Sequence, residues 1–328
     1  MFVTMKEILD AAYAGKYGVP AVPGFNEFLV RASIEAAVEA GSPLIFLTHN
    51  RGDPEFTHGI VRYFAEKVSI PIALCLDHSR SFEDGVLGIR TGCTAIMADR
   101  SQLPFDENVA QVKLLAEIAH AAGVSIEGEI GHVGRGDNYA VDGITGFTEP
   151  DDARRFIEET GVDCLAVAVG TAHGVYVGTP KIDFDRLAAI NAACGTPLAM
   201  HGGSGSGDEN IHKACAMGMA KVNIVTDIII ANCQAVSSGD FSGNKSHMMF
   251  PAISETTKKS VLRLFDVTGS AGKANPGVNI SGYTAVGGDK PTASAAPAES
   301  AKDGRHASSA PSASASSVKA DTQSTEEK

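Results

Sequence analysis

The chain has 328 residues, of which 44% are hydrophobic and 20% charged, and this composition excludes a wholly disordered protein. It carries 27 Lys and Arg residues against 39 Asp and Glu residues, a formal net charge of −12, which argues against nucleic-acid binding. No run of about 18 apolar residues occurs, and Lys6, Glu7 and Asp10 interrupt any signal-peptide core. We therefore expect a cytoplasmic protein with neither a nucleic-acid nor a membrane partner.

Eight short apolar segments alternate with amphipathic stretches along most of the chain. The segments are 19–25, 43–48, 71–78, 94–99, 124–131, 164–169, 197–202 and 221–227. Eight strand–helix units in about 210 residues predict an α/β fold, one (β/α)8 TIM barrel. A doubly wound sheet is the alternative, but neither GxGxxG nor GxxxxGK[ST] opens the first strand–helix unit.

Two more helices are predicted after the eighth strand, around 227–238 and 246–266. The second is expected to pack outside the barrel or to reach a partner subunit. We predict that residues 1–270 form the barrel domain and that residues 271–328 form a low-complexity, disordered tail. From Asp289 onward Val318 is the only bulky aliphatic residue, so the tail has too little apolar surface to bury.

Polar residues gather where the predicted strands end, which in a TIM barrel is the catalytic face. They are Asn26, Thr48, His49, Asp77, His78, Asp99, Glu127, Glu129, His173, His201 and Asn223. A lone strand-end histidine is usually structural, but three at the ends of three strands (His78, His173 and His201) are typical of an open zinc site.

Three other histidines and the cysteines are assigned structural places. His58, His120 and His212 are predicted on helix surfaces. The six cysteines include no CxxC pair and several lie in apolar runs, so we expect core thiols rather than disulfides or a zinc cluster.

A glycine-rich segment, HGGSGSGDE, follows the seventh strand and precedes a helix. Backbone N–H groups of Gly202, Gly203 and Ser204 could approach a phosphate there, next to Asn223 and Thr226 at the end of strand eight. The loops after strands seven and eight form the usual phosphate site of a TIM barrel. A flexible turn is the alternative reading.

Several motifs together resemble the class II, zinc-dependent ketose-bisphosphate aldolases, which include fructose- and tagatose-bisphosphate aldolases. They are LDHS (76–79), GTAHGVY (170–176), KIDFDRL (181–187), MHGGSGS (200–206) and KVNIVTD (221–227). The resemblance runs from about Met5 to Gly269. It implies reversible cleavage of a phosphorylated ketose to dihydroxyacetone phosphate and an aldehyde through a zinc-stabilised enediolate, by a homodimer or homotetramer.

The resemblance also implies residue roles. His78, His173 and His201 would hold Zn²⁺, with Asp99 and Glu129 as surrounding or alternative metal ligands, and Asp77 would be the acid/base at the C4 hydroxyl. A monovalent cation, Na⁺ or K⁺, is expected near the phosphate. The substrate-binding residues would be Asn26, Gly174, Lys181, Gly202, Gly203, Ser204, Asn223, Val225 and Thr226.

The sequence departs from the family at several positions. Asp137 stands where the family has a loop Glu that protonates the enediolate carbon, and His132 and Asp142 are alternatives for that role. Val225 replaces an Asp of some members, and strand two ends in THNRGD.

Arg51, in that segment, joins Arg100 and Arg135 in the hypothesis of an anion site for the aldehyde end of the substrate. The alternative is three solvent-facing loop arginines. Two other functions stay open, namely another zinc barrel enzyme such as a hydrolase, and a non-catalytic sugar-phosphate-binding relative.

Overall fold

The computed structural model describes residues 1–136, 146–176 and 180–274. Eight parallel strands in these ranges form a closed barrel in which each strand pairs with the next and β8 pairs with β1. The strands are β1 Val19–Pro23, β2 Leu44–Thr48, β3 Ile72–Ser79, β4 Ala95–Ala98, β5 Ser125–Ile130, β6 Cys164–Val167, β7 Leu198–Met200 and β8 Met219–Asn223. The predicted TIM barrel is therefore confirmed.

Helices alternate with the strands and surround them. In the described ranges they are α1 Met5–Gly15, α2 Glu27–Ala40, α3 Pro54–Ala65, α4 Phe82–Arg90, α5 Phe105–Ala121, α6 Pro150–Thr160, α7 Phe184–Cys194, α8 Asp208–Ala216, α9 Thr226–Ser238 and α10 Met249–Thr268. A 3-10 turn, Ser246–Met248, leads into α10. None of these helices is both long and apolar enough to cross a membrane.

The apolar core has two parts. One lies between the strands and the outer helices, and the other fills the barrel, where small side chains such as Ala21, Ala73 and Ala199 leave room. Helix α1, which was not predicted, contributes Met5 and Leu9 to this inner part. Since Lys6 N donates to Ser125 Oγ at the start of β5, α1 closes the amino-terminal end of the barrel. The opposite end stays open for chemistry.

Helix α10 packs on the outside of the barrel against α2 and α9. Asn232 of α9 donates to Thr257 of α10 at 2.9 Å inside this contact. Beyond α10, the Gly272 and Ala274 N–H groups donate to carbonyl oxygens at the end of α2. Residues 275–328, which include most of the predicted disordered tail, lie outside the described residues.

The cysteine prediction is confirmed for four residues and wrong for one. Cys75, Cys93, Cys164 and Cys215 are buried, Cys194 is half-buried, and Cys233 is exposed; all six are free thiols. Cys233 lies on the solvent-facing side of α9, whose buried residues are Ile228 and Asn232.

The prediction that His58 lies on a helix surface is wrong. Its side chain is 1% exposed and points from α3 toward the barrel. Its Nε2 contacts Thr48 Oγ1 at 2.9 Å and its Nδ1 contacts Thr91 Oγ1 at 2.8 Å. A histidine can occupy this apolar layer because both ring nitrogens have hydrogen-bond partners. Burial, aided by the charge of Arg62, lowers its pKa from 6.5 to about 4, so it stays neutral.

His58 should make stability depend on pH. The unfolded chain binds this proton more readily than the folded one, so the contribution of neutral His58 is complete above pH 6.5 and is lost as the pH falls toward 4. We expect His58→Asn to lower the free energy of unfolding at pH 7.5 by about 1–3 kcal/mol, with a deficit that shrinks between pH 6.5 and 4.5. Urea unfolding at each pH measures it; a deficit independent of pH would contradict the prediction. Exposed His212→Asn is the control.

Candidate active site at the carboxyl ends of the strands

Three histidine side chains meet at the open end of the barrel. His78 lies near the end of β3, His173 in the loop after β6, and His201 directly after β7. The Nε2 atoms of His78 and His173 lie 3.2 Å apart, and each is 3.2 Å from Nδ1 of His201. One proton could bridge only one edge of this triangle, so the nitrogens surround a common point rather than pair with one another.

The second ring nitrogen of each histidine has a hydrogen-bond acceptor. Nδ1 of His78 donates to Asp99 at 2.9 Å, and Nδ1 of His173 donates to the Val133 carbonyl oxygen at 3.1 Å. Nε2 of His201 donates to Glu127 at 2.8 Å. Since each outer nitrogen donates to an acceptor, the inner nitrogens are the ones that would face a metal ion, as in histidines that bind a metal.

The triangle has the size that zinc requires. Zinc–nitrogen bonds of about 2.0–2.1 Å in a tetrahedron place the nitrogens about 3.3–3.4 Å apart. The observed separations of 3.2 Å fit this value. Three protein ligands leave the fourth position for a substrate. A second set of ligand atoms, from His78, Asp99 and Glu129, lies within 4.8 Å of one another and shares His78 with the first.

Local backbone geometry brings both Asp77 and His78 into the site. Consecutive strand residues normally point to opposite faces. Here the pairing of β3 with β4 shifts register between Leu76 and Ser79, and His78 has a φ of 49°, a left-handed conformation uncommon in residues other than glycine. This bulge turns two neighbouring side chains toward the barrel axis, and such strained positions cluster at functional sites.

Negative charge lies close to the histidine triangle. Burial lowers the pKa of His78, but Asp77, Asp99 and Glu129 outweigh it and raise that pKa to about 9. Burial raises the pKa of Glu129, whose Oε1 accepts a hydrogen bond from Val133 N at 3.3 Å. The charge that stabilises a proton on His78 would equally stabilise a metal cation.

Asp77 is a carboxylate at neutral pH. Burial alone would raise its pKa, whereas coulombic interactions, chiefly with His78, His201 and Lys221, lower the pKa to about 2. Its Oδ1 accepts a hydrogen bond from Nδ2 of Asn223 at 3.4 Å. An ionised carboxylate beside the histidine triangle can act as a general base.

Two site residues received no role from the sequence. Glu127 was only one of several polar strand-end residues, and Lys221 was not singled out. In the structure both are fully buried inside the barrel, with Lys221 Nζ 2.7 Å from Glu127 Oε2. Alternation along β8 could have revealed Lys221, because it shares the inward face with Asn223.

The loops after β7 and β8 are joined by hydrogen bonds. Gly203 N donates to the Asn223 carbonyl oxygen at 3.1 Å, and Asp227 N donates to Ser204 Oγ at 3.2 Å. Gly202 has a φ of 66°, and a Cβ there would lie 2.2 Å from the Ala172 carbonyl oxygen, so a glycine is required. The structure thus brings the glycine-rich loop to the amino end of α9, an arrangement suited to an anion.

Tyr176, in the loop after β6, forms a hydrogen bond to the glycine-rich loop after β7. Its hydroxyl donates to the Gly202 carbonyl oxygen at 2.8 Å and accepts from Ala172 N at 2.8 Å. The tyrosine lies within the GTAHGVY motif, but nothing in its spacing indicated this contact. It therefore links the position of His173, in the same loop, to the shape of the glycine-rich turn.

The remaining predicted substrate residues lie around this centre in different settings. Asn26 caps α2, its Oδ1 accepting from Leu29 N at 3.1 Å. The Val225 side chain packs against the inner core, which leaves its backbone for ligand contact. Thr226 is the first residue of α9. Gly174 and Lys181 are exposed after β6, and Arg51 is exposed after β2.

The arginine hypothesis is wrong for Arg100. This side chain is 6% exposed and donates to the carbonyl oxygens of Ser79 and Asp99 at 2.6 and 2.9 Å. It joins the ends of β3 and β4, so its donors serve backbone carbonyl oxygens. Arg135 is exposed, and its backbone forms a parallel bridge with His173.

Of the candidates for the second acid/base, one is described. His132 is exposed, with Nδ1 3.4 Å from Ser101 Oγ. Asp137 and Asp142 lie outside the described residues.

Comparisons with known proteins identify a matching family and similar solved structures. A family model described as fructose-bisphosphate aldolase class-II matches residues 3–273. The crystal structure of the YdjI aldolase from Escherichia coli K12 is 29% identical and has a TM-score of 0.76, covering 84% of this chain and 100% of its own. A fructose-bisphosphate aldolase structure from Campylobacter jejuni is 20% identical with a TM-score of 0.68, covering 83% and 96%, and shows the shared fold.

Proposed function

Since this chain belongs to the class II fructose-bisphosphate aldolase family and is an aldolase, we propose that it is a zinc enzyme that reversibly cleaves a phosphorylated ketose to dihydroxyacetone phosphate and an aldehyde. The observation that carries the proposal is the triangle of His78, His173 and His201, with 3.2 Å edges and an acceptor on every outer nitrogen. A zinc ion held there by these three residues would supply a Lewis acid for the ketose oxygens.

Asp77 is assigned the role of acid/base that transfers the proton of the C4 hydroxyl. During cleavage it accepts this proton as the C3–C4 bond breaks and the aldehyde leaves, and during condensation it returns the proton. Its charged state at neutral pH and its position one residue from His78 support this role. The hydrogen bond from Asn223 orients the carboxylate. Asp137 is proposed to protonate the carbon end of the other fragment.

The glycine-rich loop and the start of α9 are proposed to bind the phosphate group of the substrate. Gly202 to Ser204 and Asn223 to Thr226 lie next to each other, and His201 directly precedes this loop. Holding the phosphate here would fix the dihydroxyacetone phosphate end relative to the histidines. Other zinc barrel enzymes, such as hydrolases, have no evident use for this loop.

Loss of the Tyr176 hydroxyl should weaken phosphate binding. Tyr176→Phe removes the hydrogen bonds to Gly202 and from Ala172, each worth about 1 kcal/mol, so we expect KM for the ketose phosphate to rise about 10- to 30-fold with kcat nearly unchanged. Initial-rate kinetics and the inhibition constant of inorganic phosphate measure the effect. The exposed Tyr63→Phe serves as the control. A fall in kcat with unchanged KM would contradict the assignment.

The proposed function is tested by retro-aldol cleavage of a panel of ketose phosphates. The panel includes fructose and tagatose 1,6-bisphosphates and several ketose 1-phosphates, each with the zinc-loaded protein before and after EDTA. We expect release of triose phosphate from at least one member, abolished by EDTA and restored by zinc. Cleavage that EDTA does not affect, or no cleavage of any member, would overturn the proposal.

A further inference from the structure

We propose that the buried ion pair of Lys221 and Glu127 is a positioning device that holds His201 in the tautomer required for metal binding through Nδ1. Lys221 lies on β8, Glu127 on β5 and His201 after β7, and all three side chains are fully buried. The inference rests on the proposed zinc site and assigns no contact with substrate to Lys221 or Glu127.

Lys221, Glu127 and His201 are linked by two contacts in which Glu127 is the acceptor each time. Lys221 Nζ lies 2.7 Å from Glu127 Oε2, and Nε2 of His201 lies 2.8 Å from Glu127 Oε1. An ammonium group can only donate, and a carboxylate can only accept. With Lys221 at one oxygen, the carboxylate stays ionised, and its other oxygen can only accept a hydrogen bond from Nε2–H of His201. Nδ1 is then left as the free, metal-facing nitrogen.

A contact of His201 with Asn223 competes with the contact to Glu127, and this makes the charge of Glu127 important. The Nδ2 atom of Asn223 lies 3.3 Å from the same Nε2 of His201. As a donor, this amide would favour an unprotonated Nε2, which is the opposite tautomer and would place a proton on the metal-facing Nδ1. The ionised Glu127 is closer, at 2.8 Å, and a charged acceptor forms the stronger hydrogen bond. Lys221 stabilises that charge.

The contact with Glu127 also excludes a Schiff-base role for Lys221. A Schiff-base lysine must lose its proton and reach the substrate carbonyl. Burial lowers the pKa of Lys221, but Glu127, with Cys75 and Asp77, outweighs it and raises the pKa above its usual value. With no exposed surface and its ammonium paired to Glu127, Lys221 acts through Glu127 and His201.

Neutralising both partners at once separates positioning from folding. Removing one partner leaves a buried, unpaired charge, which destabilises the fold as well as the site. The double variant Glu127→Gln/Lys221→Met leaves no unpaired charge and keeps an amide oxygen near Nε2 of His201. It lacks the ionised carboxylate and the ammonium that stabilises it, so a purely structural pair would leave zinc affinity intact in this variant.

A matched control exists at the other end of the barrel. Asp163, just before β6, accepts from Nε2 of His120 at 3.0 Å. Asp163→Asn alters another carboxylate–histidine contact without touching the site.

The experiment measures zinc affinity by chelator competition, urea unfolding of the metal-free proteins, and the ¹⁵N NMR signals of the zinc-bound histidine rings. For the double variant we expect zinc affinity about 10- to 100-fold below that of the unmodified protein, an unfolding midpoint above that of Lys221→Met, and a changed His201 ring signal. Asp163→Asn should keep the original affinity. Zinc affinity of the double variant within twofold of the original, with unchanged ring signals, would overturn this inference alone. Absence of zinc binding by the unmodified protein would overturn the proposed function as well.

Discussion

Replacing His173 with alanine is expected to remove the bound zinc and to lower kcat/KM for the ketose phosphate by at least about a thousandfold. The Nε2 atom of His173 lies 3.2 Å from both other inner nitrogens, so its loss leaves two protein nitrogens where an open zinc site needs three. A metal Lewis acid contributes several kcal/mol to such a reaction, and about 4 kcal/mol corresponds to a factor of about a thousand. Metal content per chain and cleavage rate are measured on the same preparations.

His120→Ala is the matched control for this variant. His120 is also a histidine in a carboxylate contact, but it lies at the closed end of the barrel and pairs with Asp163. We expect this variant to retain one zinc per chain and nearly full activity. A His173→Ala protein that keeps its zinc and more than a tenth of the activity would exclude the histidine triangle as the metal centre.

Replacing Asp77 with asparagine should slow cleavage by about 10²- to 10⁴-fold, the usual contribution of a positioned acid/base, while zinc stays bound. Asparagine keeps the size of the side chain and can still contact Asn223, but it cannot accept the C4 hydroxyl proton. Exchange of the carbon-bound proton of dihydroxyacetone phosphate with solvent does not need that step. We therefore expect the exchange to persist in Asp77→Asn, measured by NMR in deuterated water.

The comparison of these two rates defines the role of Asp77. If cleavage is lost while the proton exchange of dihydroxyacetone phosphate largely persists, Asp77 acts at the aldehyde end of the reaction. Equal losses of both rates would instead mean that Asp77 acts on the carbon or holds the metal. Asp99→Asn is a useful comparison because Asp99 bonds to Nδ1 of His78, so its effect should appear first in zinc affinity.

The barrel could be predicted from the sequence because its signals are local. Each strand is a short apolar run with a helix after it, and eight such units in parallel can close in few ways. Strand ends are visible in the same pattern, so His78, His173 and His201 could be assigned to one face of the barrel. The glycine-rich turn after β7 was visible for the same reason, since glycine marks positions that other residues cannot adopt.

The tertiary structure decided the contacts between residues that lie far apart in the sequence. Nothing local shows that Lys221 faces Glu127 across the barrel, that Tyr176 holds Gly202, or that Arg100 turns inward to carbonyl oxygens. His58 looks like a surface residue of an amphipathic helix until Thr48 and Thr91 supply its two partners. The sequence by itself determined where the eight strands lie and which face carries the histidines, although His173 falls in the loop after β6 and not at the strand end. Which nitrogen of each histidine faces the centre depends on the acceptor opposite the other nitrogen, and only folding supplies that acceptor.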